Sequence, residues 1–387
     1  MKPRRRVAIF GATGSIGTNA IRVIRAHSDQ LELIAIAGGS RVEPLAEIAR
    51  EFKLKHVSVF DPGNQTEKEL KDQFPGDTSI TTGLEGLIHT ATLEEVDMVL
   101  IAVVGITALQ ACIEAIKHRK KIALASKEIL VMAGEFIMPL VEKYDGLLLP
   151  TDSEHNAIFQ CLSGNSTKHV RNIILTASGG RYRNTPMEQL AVITPEEAVK
   201  HPNWNMGQKI SIDSSTMANK GLEVIEAKWL FGMKPAQIEV VIHPQSIIHS
   251  MVQYVDGSVV AQMSPPNMSF AIQHCLLYPD RAPGVDPTID FAKPFSLDFE
   301  APDFTRFPCL RLAFDVLKMG HTAPAIYNAA NEIAVQAFIE NRISFLDIPK
   351  VIEFTLESLS ITPPSSIQDI IDADLEARER SLKKTLK

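Results

Sequence analysis

Cysteine is scarce in this sequence: four residues, Cys112, Cys161, Cys275 and Cys309, in a chain of 387. They are scattered, with no CxxC pair. Neither a disulfide framework nor a cysteine zinc site is indicated, and a reducing cytoplasm is the expected compartment. Long apolar runs are also missing, which argues against a membrane span. Arg4-Arg5-Arg6 has the charge of a signal-peptide start, but the apolar run behind it, Val7 to Phe10, is too short for such a peptide. Nor is there an excess of positive charge. With 39 Lys and Arg against 46 Asp and Glu, the net charge is −7 and the isoelectric point near 5.9, which argues against a general nucleic-acid binder. Repeats and low-complexity tracts do not occur. What is present is 45% hydrophobic and 22% charged residues, enough for two or three domains with a substantial core.

The chain opens with an apolar strand pattern, Arg6 to Phe10, running into Gly11-Ala12-Thr13-Gly14-Ser15-Ile16-Gly17. A helical pattern follows, with Ile16, Ala20, Val23 and Ile24 on one face. Strand, glycine loop and helix in that order form the context of a dinucleotide site: glycines let the backbone approach a pyrophosphate, which rests on the helix N-terminus. The spacing is GxxGxxG rather than GxGxxG. A second strand, Leu31 to Ala37, ends in Gly38-Gly39-Ser40-Arg41. No acid stands there to hold a ribose 2′-hydroxyl, whereas a hydroxyl, a guanidinium and backbone N–H groups suit a 2′-phosphate, so NADP is preferred to NAD. Arg41 itself is open to a second reading, as a solvated residue at a helix start. Further strands at Asp97 to Val104, Lys121 to Ala125 and Leu147 to Leu149 alternate with helical segments. The pattern implies a Rossmann-like, doubly wound parallel sheet with ligands beyond its carboxyl ends.

At one of those ends lies Leu149-Pro150-Thr151-Asp152-Ser153-Glu154-His155-Asn156. In an extended chain Asp152 and Glu154 point to the same side. Two carboxylates so close repel unless a proton or cation lies between them, so a divalent ion is one reading and a surface turn with solvated acids the other. Ser126-Lys127-Glu128 ends the preceding strand and opens onto the same crevice. After residue 150 the pattern changes to an α+β region. Asn172 to Thr176 reads as a strand breaking into Ser178-Gly179-Gly180. The loop His201 to Gly207 carries Trp204, which either closes over a ligand or packs on the core. In the stretch Ser211 to Trp229, where Ser214 or Ser215 can cap a helix, Asn219 and Glu223 share a face and Lys220 stands three residues before Glu223. An N-terminal turn with Ser, Asn and Lys suits a phosphate. Glu223 is either a third carboxylate for the ion or half of a surface Lys–Glu pair. Ile247 to Val255 and Ser258 to Met263 flank Asp256-Gly257, a hairpin signal. His243 and His249 read as structural. Six prolines from Pro279 to Pro308 suggest an extended linker, and from about Arg311 the period is helical.

The ordered set of motifs is similar to the 1-deoxy-D-xylulose 5-phosphate reductoisomerase family over essentially the whole chain. It comprises GATGSIG at 11–17, ASKE at 125–128, TDSEH at 151–155, ASGG at 177–180, HPNW at 201–204, MANKGLE at 217–223, HPQS at 243–246 and NAANE at 328–332. The resemblance implies a division into an NADPH-binding domain (1–150), a catalytic domain (151–278, with a flap near 198–208), a linker (279–310) and a C-terminal helical domain (311–387). It implies Asp152, Glu154 and Glu223 as ligands of Mg²⁺ or Mn²⁺. It implies NADPH contacts at Thr13, Gly14, Ser15, Ile16, Gly38, Gly39, Ser40, Ser126, Glu128 and Gly207. Substrate contacts fall at Lys127, Ser153, Glu154, Ser178, His201, Trp204, Ser214, Asn219, Lys220 and Glu223, the later ones holding a phosphate. Catalysis would involve Lys127, His201 and the three carboxylates, with Lys127, His201 and bound water all open as proton carriers. A homodimer acting on a sugar phosphate, without nucleic acid or membrane, completes the implied picture. Two positions depart from the family: Ser126 stands where Asn is usual, and Gly39-Ser40 replaces a bulkier pair. The implied chemistry is isomerisation and NADPH-dependent reduction of 1-deoxy-D-xylulose 5-phosphate to 2-C-methyl-D-erythritol 4-phosphate, in non-mevalonate isoprenoid synthesis.

Two rivals follow from the glycine loop alone. A metal-free NADP-dependent dehydrogenase of a small aldehyde or ketone gives no reason for Asp152, Glu154 and Glu223 together. A non-catalytic NADPH sensor gives none for the Ser178, His201 and Lys220 segments.

Overall fold

The computed structural model describes residues 3–200 and 207–386. The chain separates into two compact units, each assembled from non-contiguous pieces: Met1–Ile129, Ile137–Asn156 and Asn267–Thr288 in the first, and Leu130–Phe136, Ala157–Pro266 and Ile289–Lys387 in the second.

The first unit holds a seven-stranded sheet: β1 (Arg5–Phe10), β2 (Leu31–Gly38), β3 (His56–Val59), β4 (Ser79–Thr82), β5 (Met98–Ile101), β6 (Lys121–Leu124) and β7 (Leu148–Pro150). The order is β4-β3-β2-β1-β5-β6-β7 and every pairing is parallel. Val7 to Phe10 and Met98 to Ile101 are buried throughout, as strands covered on both faces must be. The chain steps outward from β1 to β4 and then returns to the other side of β1 as β5. The order therefore reverses at the β1–β5 junction, where doubly wound sheets take their ligands. The expected parallel α/β sheet is thus present. The sequence reading has no counterpart for β3 and β4, because four-residue strands carrying His56, Ser58, Ser79, Thr81 and Thr82 lack an apolar run. They sit at the sheet's outer side, where such strands are tolerated.

The helix Met268–Leu277 lies against the helix Ser15–Ala26 in this unit. Arg5, from β1, donates to the carbonyls of Leu276 (2.5 Å) and Tyr278 (2.7 Å), filling acceptors left open at that helix's end.

The second unit contains a four-stranded sheet: β8 (Val170–Ala177), β9 (Ile238–Ile242), β10 (Ile248–Tyr254) and β11 (Val259–Met263), in the order β11-β10-β8-β9. β8 and β9 are parallel; the other pairs are antiparallel. The β10–β11 hairpin turns at Asp256-Gly257 as expected, with Gly257 at φ +90° and Asp256 Oδ1 accepting from the Ser258 amide. Four helices follow a helix-free and strand-free stretch: Pro308–Met319, Ala323–Ile339, Ile348–Ser358 and Ile367–Thr385. Tyr327 is fully buried among them and donates to the Cys309 carbonyl at 3.0 Å.

One expectation is corrected here. The helix expected to be capped by Ser214 or Ser215 is Ala218–Phe231, and it follows a separate helix, Gln208–Thr216, from which Met217 in the left-handed region (φ +58°) divides it. Ser214 and Ser215 therefore lie in the last turn of the first helix and cap nothing. A Cβ on Gly221 would lie 2.7 Å from Ala313 Cβ, so the second helix approaches Pro308–Met319 as closely as a glycine permits.

All four cysteines are buried, and burial pushes Cys112, Cys275 and Cys309 up to about 12 and Cys161 up to about 11. Only the thiolate reacts readily. Ellman's reagent at mildly alkaline pH should therefore titrate essentially none of them in the native protein and all four after unfolding in guanidinium chloride. Rapid labelling of any one in the native state would contradict the packing.

Candidate active site

β1 delivers the chain into Gly11, whose φ of +79° strains any other residue. A Cβ at Gly11 would lie 2.2 Å from the Ala102 carbonyl oxygen, just past β5. Gly17 closes over the same turn, its hypothetical Cβ 2.3 Å from the Gly11 oxygen. Backbone meets backbone at the strand-order reversal, leaving a side-chain-free cradle. Gly14 is the N-cap of Ser15–Ala26, with no capping side chain and no acid in the first turn. That helix start is suited to a phosphate. β2 ends at Gly38, and Gly39 and Ser40 are exposed beyond it. The next residue, Arg41, donates from Nη2 to Thr13 O (2.8 Å) and Thr13 Oγ1 (3.0 Å). Its guanidinium is thus tied to the glycine loop, which sequence reasoning left undecided.

The adjacent parallel strands β6 and β7 carry the next residues. Lys127, the first residue of the helix Lys127–Lys143, forms an ion pair with Asp152 at 2.7 Å, both side chains largely buried. The chain is not extended after β7, as the alternation argument assumed: a helix, Ser153–Leu162, begins at once. Asp152 Oδ1 accepts from the Glu154 amide at 3.3 Å, and Ser153 Oγ donates to the Glu154 carboxylate. Helix geometry rather than strand alternation brings these acids together. A network invisible in the sequence fixes the turn. Asn156 Nδ2 donates to Pro150 O (2.9 Å), to Cys275 Sγ (3.3 Å) and to His274 Nδ1 (3.2 Å). Desolvation by burial lowers His274 to about 4, so its ring is neutral and accepts from the amide.

Ser126 caps the Lys127 helix, but its Oγ donates inward to the Val103 carbonyl and the residue is buried. Glu128 is buried as well. Gly207 is the exposed N-cap of Gln208–Thr216.

In the second unit, β8 ends at Ala177 and the chain turns through Ser178-Gly179-Gly180, both glycines having positive φ. A Cβ on Gly180 would lie 2.6 Å from Ser214 O, so this turn packs directly on the helix end that carries Ser214. Past the Met217 break, Asn219 Nδ2 and Lys220 Nζ each donate to Glu223. Lys220 is 4% and Glu223 1% exposed, which overturns the surface-pair reading. Two residues missed in the sequence support this region. Asp213, 1% exposed, accepts from Asn331 Nδ2 at 2.9 Å and pairs with Lys209 at 2.7 Å, tying the helix to Ala323–Ile339. Their sequence signal is slight: Asn331 falls in the NAANE motif at 328–332, within a mostly apolar helix, and Asp213 has none.

One carboxylate oxygen from each of Asp152, Glu154 and Glu223 lies within 4.8 Å of the other two. The donor set is all carboxylate, the kind that takes Mg²⁺ or Mn²⁺ rather than a thiophilic metal. His201 and Trp204 lie outside the described residues. His243 is fully buried. Its Nε2 accepts from the amides of Ile247 (3.2 Å) and Ile248 (3.1 Å), so Nδ1 carries the proton given to Asp298 O. His249 is lowered to about 4, chiefly by burial, and interacts with Ser264 O. Both fit the structural role expected of them.

A nucleotide cradle at the reversal of a doubly wound sheet, together with an acidic cluster of hard-oxygen donors, defines the class: a metal-dependent α/β oxidoreductase. Family models narrow it. The 1-deoxy-D-xylulose 5-phosphate reductoisomerase model matches residues 7–134, its C-terminal domain model 148–231, and a DXP reductoisomerase C-terminal domain model 263–380. A protein of that name from Dechloromonas aromatica is 48% identical over 381 residues, 97% of this chain and 96% of that one. Another, from Caldanaerobacter subterraneus subsp. tengcongensis, is 48% identical over 385 residues, 99% of this chain and all of its own. The Zymomonas mobilis reductoisomerase solved in complex with NADPH superposes with a TM-score of 0.92 at 42% identity, covering 99% of both chains. A DOX-P reductoisomerase with NADPH, fosmidomycin and magnesium gives 0.93 at 39% identity over 98% of each. The chain belongs to the 1-deoxy-D-xylulose 5-phosphate reductoisomerase family.

Replacing Gly11 by alanine tests the cradle. The left-handed φ and the overlap with Ala102 together should cost about 2–5 kcal/mol. A lowered melting temperature and loss of NADPH binding are the expected results. An unchanged melting temperature would show that the loop relaxes freely.

Proposed function

We propose that this chain catalyses the NADPH-dependent and divalent-metal-dependent isomerisation and reduction of 1-deoxy-D-xylulose 5-phosphate to 2-C-methyl-D-erythritol 4-phosphate, in non-mevalonate isoprenoid synthesis. The observation that carries the reading is the convergence of Asp152, Glu154 and Glu223. Neither a metal-free dehydrogenase nor a sensor gives that negative charge a purpose.

Asp152, Glu154 and Glu223 hold the ion, Mg²⁺ or Mn²⁺, which supplies Lewis-acid stabilisation of negative charge on substrate oxygens. Lys127 keeps Asp152 oriented and brings a cation to the edge of the cluster. Ser178, Ser214, Asn219 and Lys220 receive the substrate's phosphate, far from the reacting carbons, so that its binding energy positions them. Ser153, Glu154 and Glu223 border the same substrate. His201 and Trp204 belong to a segment that covers it and excludes water, and Lys127 and His201 are the side chains available to move protons. Thr13, Gly14, Ser15 and Ile16 take the pyrophosphate of NADPH, which supplies the hydride. Gly38, Gly39, Ser40, Ser126, Glu128 and Gly207 complete the nucleotide contacts, the Ser126 contact running through its main chain because its hydroxyl serves Val103.

The 1–150, 151–278, 279–310 and 311–387 division describes how these tasks are distributed. A homodimer is supported by β11, an outer strand with Val259 and Val260 exposed, and by exposed Phe291, Phe295 and Phe299. A cytoplasmic location is supported by the four free thiols. Among the described residues, no helix is long and apolar enough to cross a membrane.

Two experiments test the reading. Oxidation of NADPH should require both 1-deoxy-D-xylulose 5-phosphate and Mg²⁺ and stop in excess EDTA. Glu223→Gln should lose at least about a hundredfold in turnover, by analogy with metal-shell losses, while NADPH binding survives. Turnover that ignores EDTA removes the metal from the reaction. Separately, Arg41→Ala should weaken NADP⁺ roughly tenfold, the worth of a charge-assisted hydrogen bond, and leave NAD⁺ affinity unchanged. Equal loss for both nucleotides would assign Arg41 to the loop alone.

A further inference from the structure

Asn156, 1% exposed, grips two main-chain carbonyls of the turn that carries Asp152. Its backbone amide donates to the Asp152 carbonyl at 2.8 Å, in the first turn of the helix Ser153–Leu162. Its side chain points back toward the helix N-terminus, as helical side chains do, and Nδ2 reaches Pro150 O at 2.9 Å. The second hydrogen of Nδ2 has an acceptor in His274 Nδ1 at 3.2 Å. An uncharged amide serves both acceptors at once. A carboxylate in its place would donate nothing, and an apolar group would leave Pro150 O only the weaker donor, the Cys275 thiol at 3.1 Å.

His274 and Cys275 stand in the last turn of the helix Met268–Leu277, which is anchored at both ends by other contacts. It packs on Ser15–Ala26. At its start, the N-cap Asn267 donates from Nδ2 to Asp286 at 3.1 Å, and Arg22 of Ser15–Ala26 donates to the same carboxylate at 2.9 Å. At its end, Arg5 occupies the carbonyls of Leu276 and Tyr278. The helix that begins at the nucleotide cradle thus seats a second helix, and the second helix seats the turn of Asp152 and Glu154.

We propose that Asn156 and His274 are positioning residues for the metal centre, fixing the Asp152–Glu154 turn against a helix that is itself registered on Ser15–Ala26. The assignment rests on the metal-dependent function proposed for this chain. Neither residue supplies a ligand. His274 acts through Asn156, and Asn156 acts through the carbonyls of Pro150 and Asp152. Asp152 and Glu154 are thereby placed before an ion arrives and lose less freedom when it binds.

The test is Mn²⁺ binding by the full chain, followed through the electron paramagnetic resonance signal of the free ion. The unmodified protein should bind Mn²⁺ saturably. Asn156→Leu, which keeps the bulk and removes both donors, should bind at least about tenfold more weakly, the lower end of losses at groups that orient metal ligands. His274→Phe should weaken binding about fivefold, the worth of one hydrogen bond. His274→Asn, whose Oδ1 falls where Nδ1 stood, should bind as the unmodified protein does. The double variant, Asn156→Leu with His274→Phe, should bind no more weakly than Asn156→Leu, because the histidine acts through the asparagine. Retained NADPH binding shows that each variant is folded. A merely structural role would lower the melting temperature and leave the Mn²⁺ affinity of the folded protein unchanged. Absence of Mn²⁺ binding in the unmodified protein would sink the metal reading itself. Affinity unchanged in either single variant, or losses that multiply in the double variant, overturns this assignment alone. Should Asn156→Leu fail to fold, His274→Phe decides against His274→Asn, and equal affinities overturn it.

Discussion

Three carboxylate oxygens within 4.8 Å of one another set the terms for the site. Like charges so close drive protonation of one another unless positive charge stands beside them. The protein supplies part of it: Lys127 against Asp152 and Lys220 against Glu223. Two lysines against three carboxylates leave a negative remainder, which a hard divalent cation neutralises. Both lysines are largely buried, so each spends solvation to be there. That arrangement would be a poor way to stabilise a fold and is a sensible way to hold an ion.

Positions in the cluster follow from main-chain geometry more than from side-chain length. Asp152 and Lys127 follow adjacent parallel strands, in register through Leu124 and Pro150. The immediate start of a helix at Ser153 brings Glu154 back toward Asp152. Asn156 locks that turn by satisfying Pro150 O and the neutral His274 at once. On the phosphate side, the left-handed Met217 ends one helix and begins another. Ser214 thereby stands at a C-terminal end while Asn219 and Lys220 occupy a first turn. A continuous helix would string these residues along one rod.

Much of this was legible in the sequence. The parallel sheet, the glycine loop, the hairpin at Asp256-Gly257 and the grouping of Asp152 with Glu154 rest on local patterns: apolar runs, glycine spacing and turn residues. What escaped has no local signature. The Met217 break occurs in a stretch with ordinary helical spacing, and the close seating of the second helix, Gly221 against Ala313, appears only in the folded chain. The burial of Lys220 and Glu223 was left open by local spacing, since a Lys–Glu pair three residues apart is normally solvated. Asn331 reaching Asp213 and Asn156 reaching His274 each span more than a hundred residues. Strands β3 and β4 are too short and polar to announce themselves.

The functional groups divide by burial, and the division bears on how the protein tolerates change. Of those assigned to metal and phosphate, Glu223 and Lys220, with the supporting Asp213, are each under 5% exposed inside packed helices, while Asp152, Glu154, Ser178, Ser214 and Asn219 are half-buried. Truncating one partner of such a buried pair to an apolar side chain costs about 3–5 kcal/mol, so stability falls with function, whereas an isosteric amide keeps an acceptor for the lysine. Most residues assigned to the nucleotide are different, with Ser126 and Glu128 as buried exceptions. Ser15, Gly39, Ser40 and Arg41 are exposed at strand ends and a helix start, where side-chain changes are thermodynamically cheap. Gly39-Ser40, expected to depart from the family, falls in this permissive rim. The cation there sits on the neighbouring Arg41, anchored through Thr13. Ser126, the other position expected to depart, lies in the buried shell, and its hydroxyl donates to the Val103 carbonyl. Substitution at the rim relocates a contact, whereas substitution in the shell must first find its hydrogen bonds.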